Sequence, residues 1–471
     1  MSVWEVLAKL DRARPRLGEQ VTAALRGAIV AGRLTPGTRL PSTRDLAVDL
    51  GLSRGLVVAA YEQLVAEGRL VSRRGSGTVV ALATTQPTVE FDLADGRYQA
   101  VAPLRPGVPD LGMFPRAAWR RSYERALSAA LDADLDYGDP AGAPKLRREL
   151  AAYLCRVRSA LVEPTRIALT TGAAQAFTLL AKVLVAAGST RIGFEDPGPA
   201  SIRDLMASHG LRPVPVPVDA DGLDVDALAR ARIGAVYVTP AHQFPTGVVL
   251  APARRTALVD WARRTGALIV EDDYDAEFRY DREPVGCLQG LAPDVVALVG
   301  SVSTALAPGI RLGWLVAPRQ IIDGLTTAKL MADHGGPVLE QLAFADLLAG
   351  GGYNRHVRRV RRVHRQRRDA VVAALGRYLA NGSILGVAAG LHLVVELPPG
   401  VDDAAIAARA HHAGLGPLAL SQLRVQARGR PGLVLGYAAH SAHELSRAVR
   451  LLGRLVRAET AHPVVARLPA G

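Results

Sequence analysis

Residues 34–80, LTPGTRLPSTRDLAVDLGLSRGLVVAAYEQLVAEGRLVSRRGSGTVV, decide the fold of the first part of the chain. Ser42 precedes a short apolar-periodic segment and has Asp45 three residues later, a spacing typical of a capped helix start, and Gly51 ends that helix. Ser53 then caps a second helix. Two helices joined by so tight a turn predict a helix-turn-helix.

The residues on either side of this pair complete a small domain. Residues 17–31 place apolar side chains at helical spacing, and Gly32 stops that helix. After Gly68, where the second helix of the pair ends, two strand-like pieces, Leu70–Ser72 and Thr78–Val80, flank a hairpin that bears glycines and two arginines. The whole arrangement predicts a winged helix.

The pattern L-x-P-G-x-R-L-P-S-x-R-x-L-A-x-x-L-G-x-S-R, followed by A-Y-x-x-L-x-x-E-G and R-x-G-S-G-T, resembles the GntR-type winged-helix regulators over about 65 residues. The resemblance implies that residues 1–82 form a DNA-binding domain whose partner is double-stranded DNA. It also implies which positions face the DNA, the last of them at the wing tip: Arg44, Ser53, Arg54, Gly55 and Gly75.

The chemistry of these positions agrees with this interpretation. Arg54 lies in the first turn of the second helix, where helix N–H groups meet phosphates and a guanidinium can bind guanine bidentately. Arg73 and Arg74 in the hairpin suit the DNA backbone or minor groove. The alternative is that these arginines only solvate a small helical domain. Leu56 and Val58 are apolar where polar base-reading side chains often lie, which predicts modest or unusual base specificity.

Bulk properties limit the class of protein. The 471 residues fit two or three domains, and 49% hydrophobic with 21% charged residues is ordinary for a globular chain. Cys155 and Cys287 allow at most one disulfide, which favours a reducing compartment. The N-terminus lacks an apolar segment, so it is not a signal peptide, and no apolar run reaches about 18 residues. We expect a soluble cytoplasmic protein that does not span a membrane.

The formal charge of +13 is confined to two regions of the sequence. Residues 1–82 carry +5, residues 355–368 contain eight arginines and no acid, and the rest of the chain is neutral. Residues 354–375 are predicted to form one helix, because three valines recur at intervals of three. An arginine stripe of this size could touch DNA. The favoured alternative is a solvated helix with acidic neighbours.

Residues 83–100 are polar and weakly patterned, which predicts an interdomain linker. Beyond it, residues 101–465 alternate short β-rich runs with helical stretches; the runs are RIGFEDP, GAVYVTP, GALIVEDD and VVALVG. This alternation predicts an α/β domain with a largely parallel sheet, in which ligands bind beyond the carboxyl ends of the strands.

Six polar clusters lie along this second domain: YGDPAGAPKLR (137–147), TTGAAQA (170–176), EDPGPAS (195–201), TPAHQFPTG (239–247), EDDYDAEF (271–278) and GSVSTALAPGIRLGW (300–314). Together they resemble the fold-type-I aminotransferases over nearly 350 residues, and most closely the MocR branch, in which such a domain follows a GntR winged helix. The resemblance implies a large, mostly parallel sheet and a smaller C-terminal subdomain. It also implies effector binding and homodimerisation by this domain.

In that family the pocket holds pyridoxal 5′-phosphate (PLP), which acts as an electron sink through its pyridine ring. The resemblance implies phosphate contacts from the start of a helix and from a serine-rich turn: Gly172, Ala173, Ala174, Ser301, Ser303 and Arg311. It implies that Asp272 faces the pyridine nitrogen, Tyr274 the ring hydroxyl, and Gln243, with His242, the side of the ring. Tyr137 would reach the phosphate of the other subunit. Asp272 could instead belong to a solvated acidic loop, and Ser301 could be a simple helix cap.

The sequence departs from the family where the chemistry is decided. The family motif S-K-T-L-x-P-x-L-R-L-G is S-T-A-L-A-P-G-I-R-L-G here, so Thr304 replaces the lysine that bonds covalently to PLP. A hydroxyl forms no imine with an aldehyde and cannot shuttle the substrate's Cα proton as an amine does. Pro199 replaces the tyrosine of E-x-P-G-Y. Aminotransferase activity is therefore not expected, and PLP is expected to bind at most noncovalently, if it binds at all.

These observations favour a homodimeric, DNA-binding transcription regulator with a catalytically inactive, aminotransferase-like domain that senses a small, anionic ligand. A PLP-dependent aminotransferase with an accessory DNA-binding arm is the alternative, and a large domain that serves only in dimerisation is a third. A metal site in residues 271–277 is conceivable from five acids, but no histidine is near in sequence. We therefore predict no metal and no catalytic residue.

Overall fold

The computed structural model describes residues 16–73, 77–81, 101–275, 277–280, 285–380, 382–426 and 428–461. The chain divides into two compact units, Met1–Tyr98 and Gln99–Gly471. The predicted linker, residues 83–100, lies outside the described residues. Among the described residues, no helix is both long enough and apolar enough to cross a bilayer.

The described part of the first unit contains three helices and a hairpin: α1 (Leu17–Val30), α2 (Thr43–Leu50), α3 (Arg54–Ala66), β1 (Leu70–Arg73) and β2 (Gly77–Val80). Each predicted element is confirmed within two residues. The antiparallel hairpin pairs Leu70 with Val80, and buried side chains of all three helices, such as Leu25, Leu46 and Leu64, form one core with it.

The two helix starts of this unit differ. The Ser42 hydroxyl accepts from the Asp45 backbone N–H at 3.2 Å and donates to the Asp45 carboxylate at 2.7 Å, so the predicted cap of α2 is confirmed. Gly51 ends α2 with a φ of +57°, a conformation that favours glycine. Ser53 also holds an N-cap position, but its side chain makes no capping bond to α3. The expectation that Ser53 caps this helix is wrong.

The second unit is built on an eight-stranded sheet with the order β3-β10-β9-β8-β7-β4-β5-β6. Its strands are β3 (Ile167–Thr170), β4 (Arg191–Asp196), β5 (Arg212–Asp219), β6 (Gly222–Leu223), β7 (Ala235–Val238), β8 (Leu268–Asp272), β9 (Val296–Ser301) and β10 (Gly313–Val316). The antiparallel pairs of this sheet are β5 with β6 and β10 with its two neighbours, β3 and β9. The predicted largely parallel sheet is confirmed.

Helices cover the sheet and lead to a smaller C-terminal sheet. They are α4 (Arg116–Ala129), α5 (Pro144–Arg158), α6 (Ala173–Ala186), α7 (Ala200–Ser208), α8 (Val225–Arg230), α9 (Pro252–Thr265), α10 (Arg319–Asp333), α11 (Val338–Ala349), α12 (Gly352–Tyr378), α13 (Asp403–His412) and α14 (Ala442–Ala461). The small antiparallel sheet has the order β11-β12-β14-β13, with β11 (Ser383–Leu385), β12 (His392–Glu396), β13 (Leu418–Ala419) and β14 (Gly432–Gly436). Strands β7 and β8 are buried along their whole length, as both faces of the large sheet are covered.

Candidate ligand pocket and DNA-binding face

The candidate pocket lies at the end of the large sheet where the parallel strands have their carboxyl termini. Asp272 ends β8 and Ser301 ends the adjacent strand β9. Ser301 lies opposite Gly313 of β10, which in turn lies opposite Thr170 at the end of β3. Adjacent strands are about 4.8 Å apart, so this register brings the strand ends into a short row. The sheet therefore groups the predicted contacts of the phosphate-binding turn with the predicted ring contact.

Asp272 is the most informative side chain of this row. It is only 9% exposed, so the alternative of a solvated acidic loop is wrong. Its Oδ2 accepts from the Tyr237 hydroxyl at 2.6 Å, whereas Oδ1 is buried and has no partner among the described residues. Burial raises the pKa of the Asp272 carboxyl to about 7, against the opposing effect of the Tyr237 hydrogen bond. A buried oxygen without a partner is a vacant acceptor for a ligand N–H.

Gly172 and Arg311 form the second part of the pocket. Gly172 precedes α6 with a φ of +109°, and a Cβ at this position would lie 2.9 Å from the Arg311 guanidinium. Only glycine allows this close approach. Arg311 itself has a φ of +53°, which is uncommon for a residue with a side chain. The geometry leaves an exposed guanidinium beside the free N–H groups at the start of α6, and such an arrangement suits an oxyanion.

The remaining predicted phosphate contacts lie on the same two segments. Ala173 and Ala174 are the first two residues of α6. Ser301 and Ser303 are partly buried, and the Ser303 backbone N–H lies 3.4 Å from the Ser301 hydroxyl. Ser301 ends a strand, so the alternative of a simple helix cap does not apply.

Thr304 is already engaged within the protein. Its hydroxyl donates to the Tyr274 carbonyl at 2.8 Å, and the Tyr274 hydroxyl donates to the His242 carbonyl at 2.9 Å. The structure thus joins two of the predicted ring contacts to the position of the missing lysine. The Tyr274 hydroxyl could donate to a ligand only by giving up its hydrogen bond to the His242 carbonyl.

No described lysine takes the place of the missing amine. Lys145 and Lys182 are exposed on helices. Lys329 is buried at 1% exposure, but its ammonium group binds the Asp333 carboxylate at 2.8 Å and lies 3.5 Å from the Gln175 amide oxygen. Its three donors are therefore held by neighbours, and Lys9 lies outside the described residues.

The Gln243 side chain is hydrogen-bonded within the protein. Its amide nitrogen donates to the carbonyls of Pro197 and Phe244 at 2.9 and 2.6 Å, and its oxygen accepts from Thr246. The side chain is 1% exposed. Because both ends of the amide are used inside the protein, Gln243 holds the loop after β7 in place, and we assign it a positioning role in place of a ligand contact.

A buried cluster beside this loop was not predicted. His242 Nδ1 lies 2.9 Å from Asp275 Oδ2, and one ligand atom from each of His242, Asp275 and His392 falls within 4.8 Å of the others. The sequence could not place His392 here, since it comes from β12 of the small sheet. His392 Nε2 also lies 3.1 Å from the Pro245 carbonyl. These hydrogen bonds provide polar partners for His242, Asp275 and His392 in the protein interior.

Tyr137 and the groove beside it lie on the surface of the second unit. The side chain is 80% exposed and stacks obliquely on His334 at 5.6 Å between ring centroids. It lines a surface cavity of about 740 Å³, together with Leu135 and residues 333–338. None of Asp272, Ser301 or Thr304 lines this cavity.

The predicted DNA contacts within the helix-turn-helix are exposed to solvent. Arg44 in α2 and Arg54 and Gly55 in α3 are exposed, as is Ser53 between the helices. The Ser53 hydroxyl, which caps nothing, remains available for another acceptor. The side chain of Arg73, and Arg74 and Gly75 at the wing tip, lie outside the described residues.

The two units match two different families of known proteins. Residues 17–80 match the model of the bacterial regulatory proteins of the gntR family, and residues 110–452 match that of aminotransferase class I and II. The HTH-type pyridoxine biosynthesis transcriptional regulator PdxR of Corynebacterium glutamicum is 36% identical, over 90% of this chain and 93% of its own. The probable rhizopine catabolism regulatory protein MocR of Rhizobium meliloti is 32% identical, over 91% and 92%.

Solved structures resemble the second unit. An archaeal alanine:glyoxylate aminotransferase superposes with a TM-score of 0.71 at 25% identity, covering 76% of this chain and 91% of its own. The α-aminoadipate aminotransferase LysN of Thermus thermophilus gives 0.69 at 26% identity, covering 77% and 94%. The predicted fold-type-I aminotransferase domain is confirmed, and PLP is the usual cofactor of that fold.

Fold and site together define a class of protein in which a DNA-binding winged helix is fused to an aminotransferase-like domain. The similar full-length proteins of this architecture are named as transcription regulators and not as enzymes. The chain belongs to the MocR-type regulators of the GntR family, and its function is DNA-binding regulation of transcription.

Proposed function

We propose that the second unit is a catalytically inactive sensor that binds a phosphorylated pyridine, PLP or a close relative, without a covalent bond. Asp272 carries this proposal, because its buried, unpartnered Oδ1 fits the N–H of a pyridinium ring. Gly172 and Arg311 would hold the phosphate at the other end. When bound in related enzymes PLP supplies an electron sink, but this chain offers no amine at position 304 to begin that chemistry.

The regulated output is DNA binding by the first unit. We assign contacts with base edges and phosphates to Arg44, Ser53, Arg54 and Gly55, with the wing contributing Arg73, Arg74 and Gly75. The exposed Arg54 at the start of α3 supports this assignment, since the first turn of a recognition helix enters the major groove. Ligand binding in the second unit would act by favouring one of two arrangements that differ in DNA affinity.

A homodimer completes this proposal. GntR-type regulators read paired half-sites, and the exposed Tyr137 beside an open groove fits a contact with the pocket of a second subunit. The effector would then bind to groups from both chains.

The first test is an absorbance scan of the purified chain with and without PLP, followed by borohydride. We expect PLP to bind with the spectrum of the free compound and to leave no reduced product on the protein. A new band near 420 nm, roughly the position of a PLP–lysine imine, fixed by borohydride, would show that another lysine replaces position 304 and would favour the enzyme alternative.

A second test links the pocket to DNA. Titration of PLP should shift the affinity for a selected DNA duplex by about 5- to 150-fold, and Arg311→Gln should abolish that shift. Arg54→Ala should remove sequence preference while leaving ligand binding unchanged. A DNA affinity that does not respond to PLP, in a chain that binds PLP, would favour a domain that serves only in dimerisation.

A further inference from the structure

Helix α12 carries an arginine stripe along its solvent face. We define the stripe as Arg355, Arg358, Arg359, Arg362 and Arg365, all of which are exposed. Their spacing of three and four residues puts them within one third of the helix circumference. The opposite face buries Tyr353, His356, Val360 and His364 in the core of the second unit. The stripe is therefore fixed to a rigid, well-packed helix, and it is about 15 Å long.

Within the described residues, no carboxylate pairs with the stripe. Some exposed arginines of this unit do have carboxylate partners, such as Arg125 with Asp346 and Arg263 with Asp294. Within the described residues, Arg358, Arg359, Arg362 and Arg365 have no ion pair or side-chain hydrogen bond, and Arg355 binds only the Gly350 carbonyl. The expected acidic neighbours are present at Arg367, which binds Asp110, and at Arg368, which lies 3.7 Å from Asp369.

The positive surface continues onto a neighbouring helix. Arg121 of α4 and Arg355 line the same shallow groove. Arg121 has no ion pair among the described residues either. Five guanidinium groups of the stripe and one from α4 thus form a single field of like charge, and such a field costs free energy unless an anion covers it.

We infer that the arginine stripe binds the phosphate backbone of DNA that flanks the site held by the winged helix. A duplex carries one negative charge per about 1.7 Å of axis, so a rigid stripe of this length can meet several phosphates at once. Both DNA-binding surfaces belong to one polypeptide, so a duplex bound by the first unit is presented to the second at high effective concentration. An array of guanidinium groups with no aromatic or apolar residue among them fits a sequence-independent phosphate contact and not base reading.

The inference rests on the DNA-binding function of the first unit, and the experiment separates the two. The test variant is Arg358→Gln, Arg359→Gln, Arg362→Gln and Arg365→Gln combined in the full chain. The matched control combines Arg156→Gln, Arg212→Gln, Arg230→Gln and Arg264→Gln, which are exposed arginines on other elements of the same unit and have no side-chain partner among the described residues. Both variants lose four charges. The probes are a 20-base-pair and a 60-base-pair duplex that share a central sequence selected by the full chain from a random pool.

We expect the stripe variant to bind the 60-base-pair duplex at least tenfold more weakly than the original chain, and the 20-base-pair duplex within twofold. The slope of log affinity against log salt for the long duplex should fall by about 3.6, which is about 0.9 for each of the four lost phosphate contacts. The control should stay within twofold on both duplexes. Arg54→Ala should weaken binding to both duplexes. If it does not, the result counts against DNA binding by the first unit and not against the stripe.

Three results would overturn the inference. One is a stripe variant that binds the long duplex like the original chain. Another is a control that loses as much affinity as the stripe variant, which would assign the effect to net charge. The third is a changed elution volume in size-exclusion chromatography for the stripe variant alone, which would assign the stripe to contacts between copies of the chain. Equal melting temperatures of the two variants are the measure that both are folded.

Discussion

Position 304 shows how one side chain sets the chemistry of a pocket. Thr304 donates to the Tyr274 carbonyl, so its hydroxyl is part of the packing of the turn that follows β9. Thr304→Lys should restore a covalent bond with PLP, because the phosphate and pyridine contacts need no change. We expect a borohydride-fixed adduct on the variant and none on the original chain, measured by mass spectrometry.

The cost of this substitution should be small. Loss of the Thr304 hydrogen bond is worth about 1 kcal/mol, well below the stability of a folded domain. Thr304→Val is the matched control, as it loses the same hydrogen bond but supplies no amine. A Thr304→Lys chain that is folded, binds PLP and forms no adduct would show that position 304 does not face the ligand.

Asp272 should make the stability of the second unit depend on pH. Its pKa is raised from 3.8 to about 7 by burial, so the folded chain keeps a proton that the unfolded chain releases. Stability is therefore lost as pH rises from about 4 to about 7. Asp272→Asn removes this loss. The free energy of unfolding of the variant minus that of the original chain should therefore increase by about 2–3 kcal/mol as the pH is raised from 5 to 8. Urea unfolding followed by fluorescence of Trp261 and Trp314 measures it.

Buried carboxyls elsewhere make the control for this prediction necessary. Burial also raises the pKa of Glu195 and Glu271 to about 7, and both titrate in the same direction. Their charges interact with that of Asp272, so the difference between the original chain and Asp272→Asn reports on Asp272 together with its coupling to these carboxyls. A difference that stays constant from pH 5 to pH 8 would contradict the prediction.

At the scale of elements, the two helix starts of the winged helix predict opposite effects. Ser42→Ala removes the cap of α2 and should lower local stability by about 1 kcal/mol, which raises amide exchange in α2 about fivefold. Ser53→Ala removes no cap and should leave exchange in α3 unchanged. It should instead weaken DNA binding, because its hydroxyl is free for a phosphate. Hydrogen exchange of the full chain and DNA titration measure the two effects, and the reverse assignment would contradict the proposed DNA face.

Local patterns predicted the elements well and the side-chain partners poorly. The strand runs ending in Asp272 and the glycine before α6 could be placed because each depends on its own segment. Tyr237 could not be linked to Asp272, although a tyrosine inside a buried strand signals that its hydroxyl needs a partner. His392 was missed because its contacts depend on how the small sheet packs. The hydrogen bonds of Gln243 were not predicted because they depend on how the loop after β7 packs. No local sequence pattern contains either kind of contact.

At the scale of the whole molecule, the second unit has an apolar surface that a single chain leaves open. Leu127, Leu131 and Leu135 are 54–68% exposed, and Tyr137 is 80% exposed next to them. Isolated apolar side chains on a surface need no explanation, but Leu135 and Tyr137 line a cavity of about 740 Å³, and exposed apolar side chains around a cavity are typical of an interface. This surface is where we expect the homodimer of the proposed function to form.

Leu135→Glu should test that interface, because a buried, unpaired carboxylate would oppose association. We expect its dimer dissociation constant, measured by light scattering, to rise at least tenfold, and its affinity for DNA with two half-sites to fall while binding to one half-site is unchanged. Leu291→Glu is the matched control: it is exposed to the same extent, 60% against 59%, and does not line the cavity. If both variants remain dimeric, subunits meet elsewhere and Tyr137 does not complete a partner's pocket. If only Leu135→Glu dissociates, the resulting monomer should lose the PLP response, because it lacks the phosphate contact proposed for Tyr137 of a second subunit.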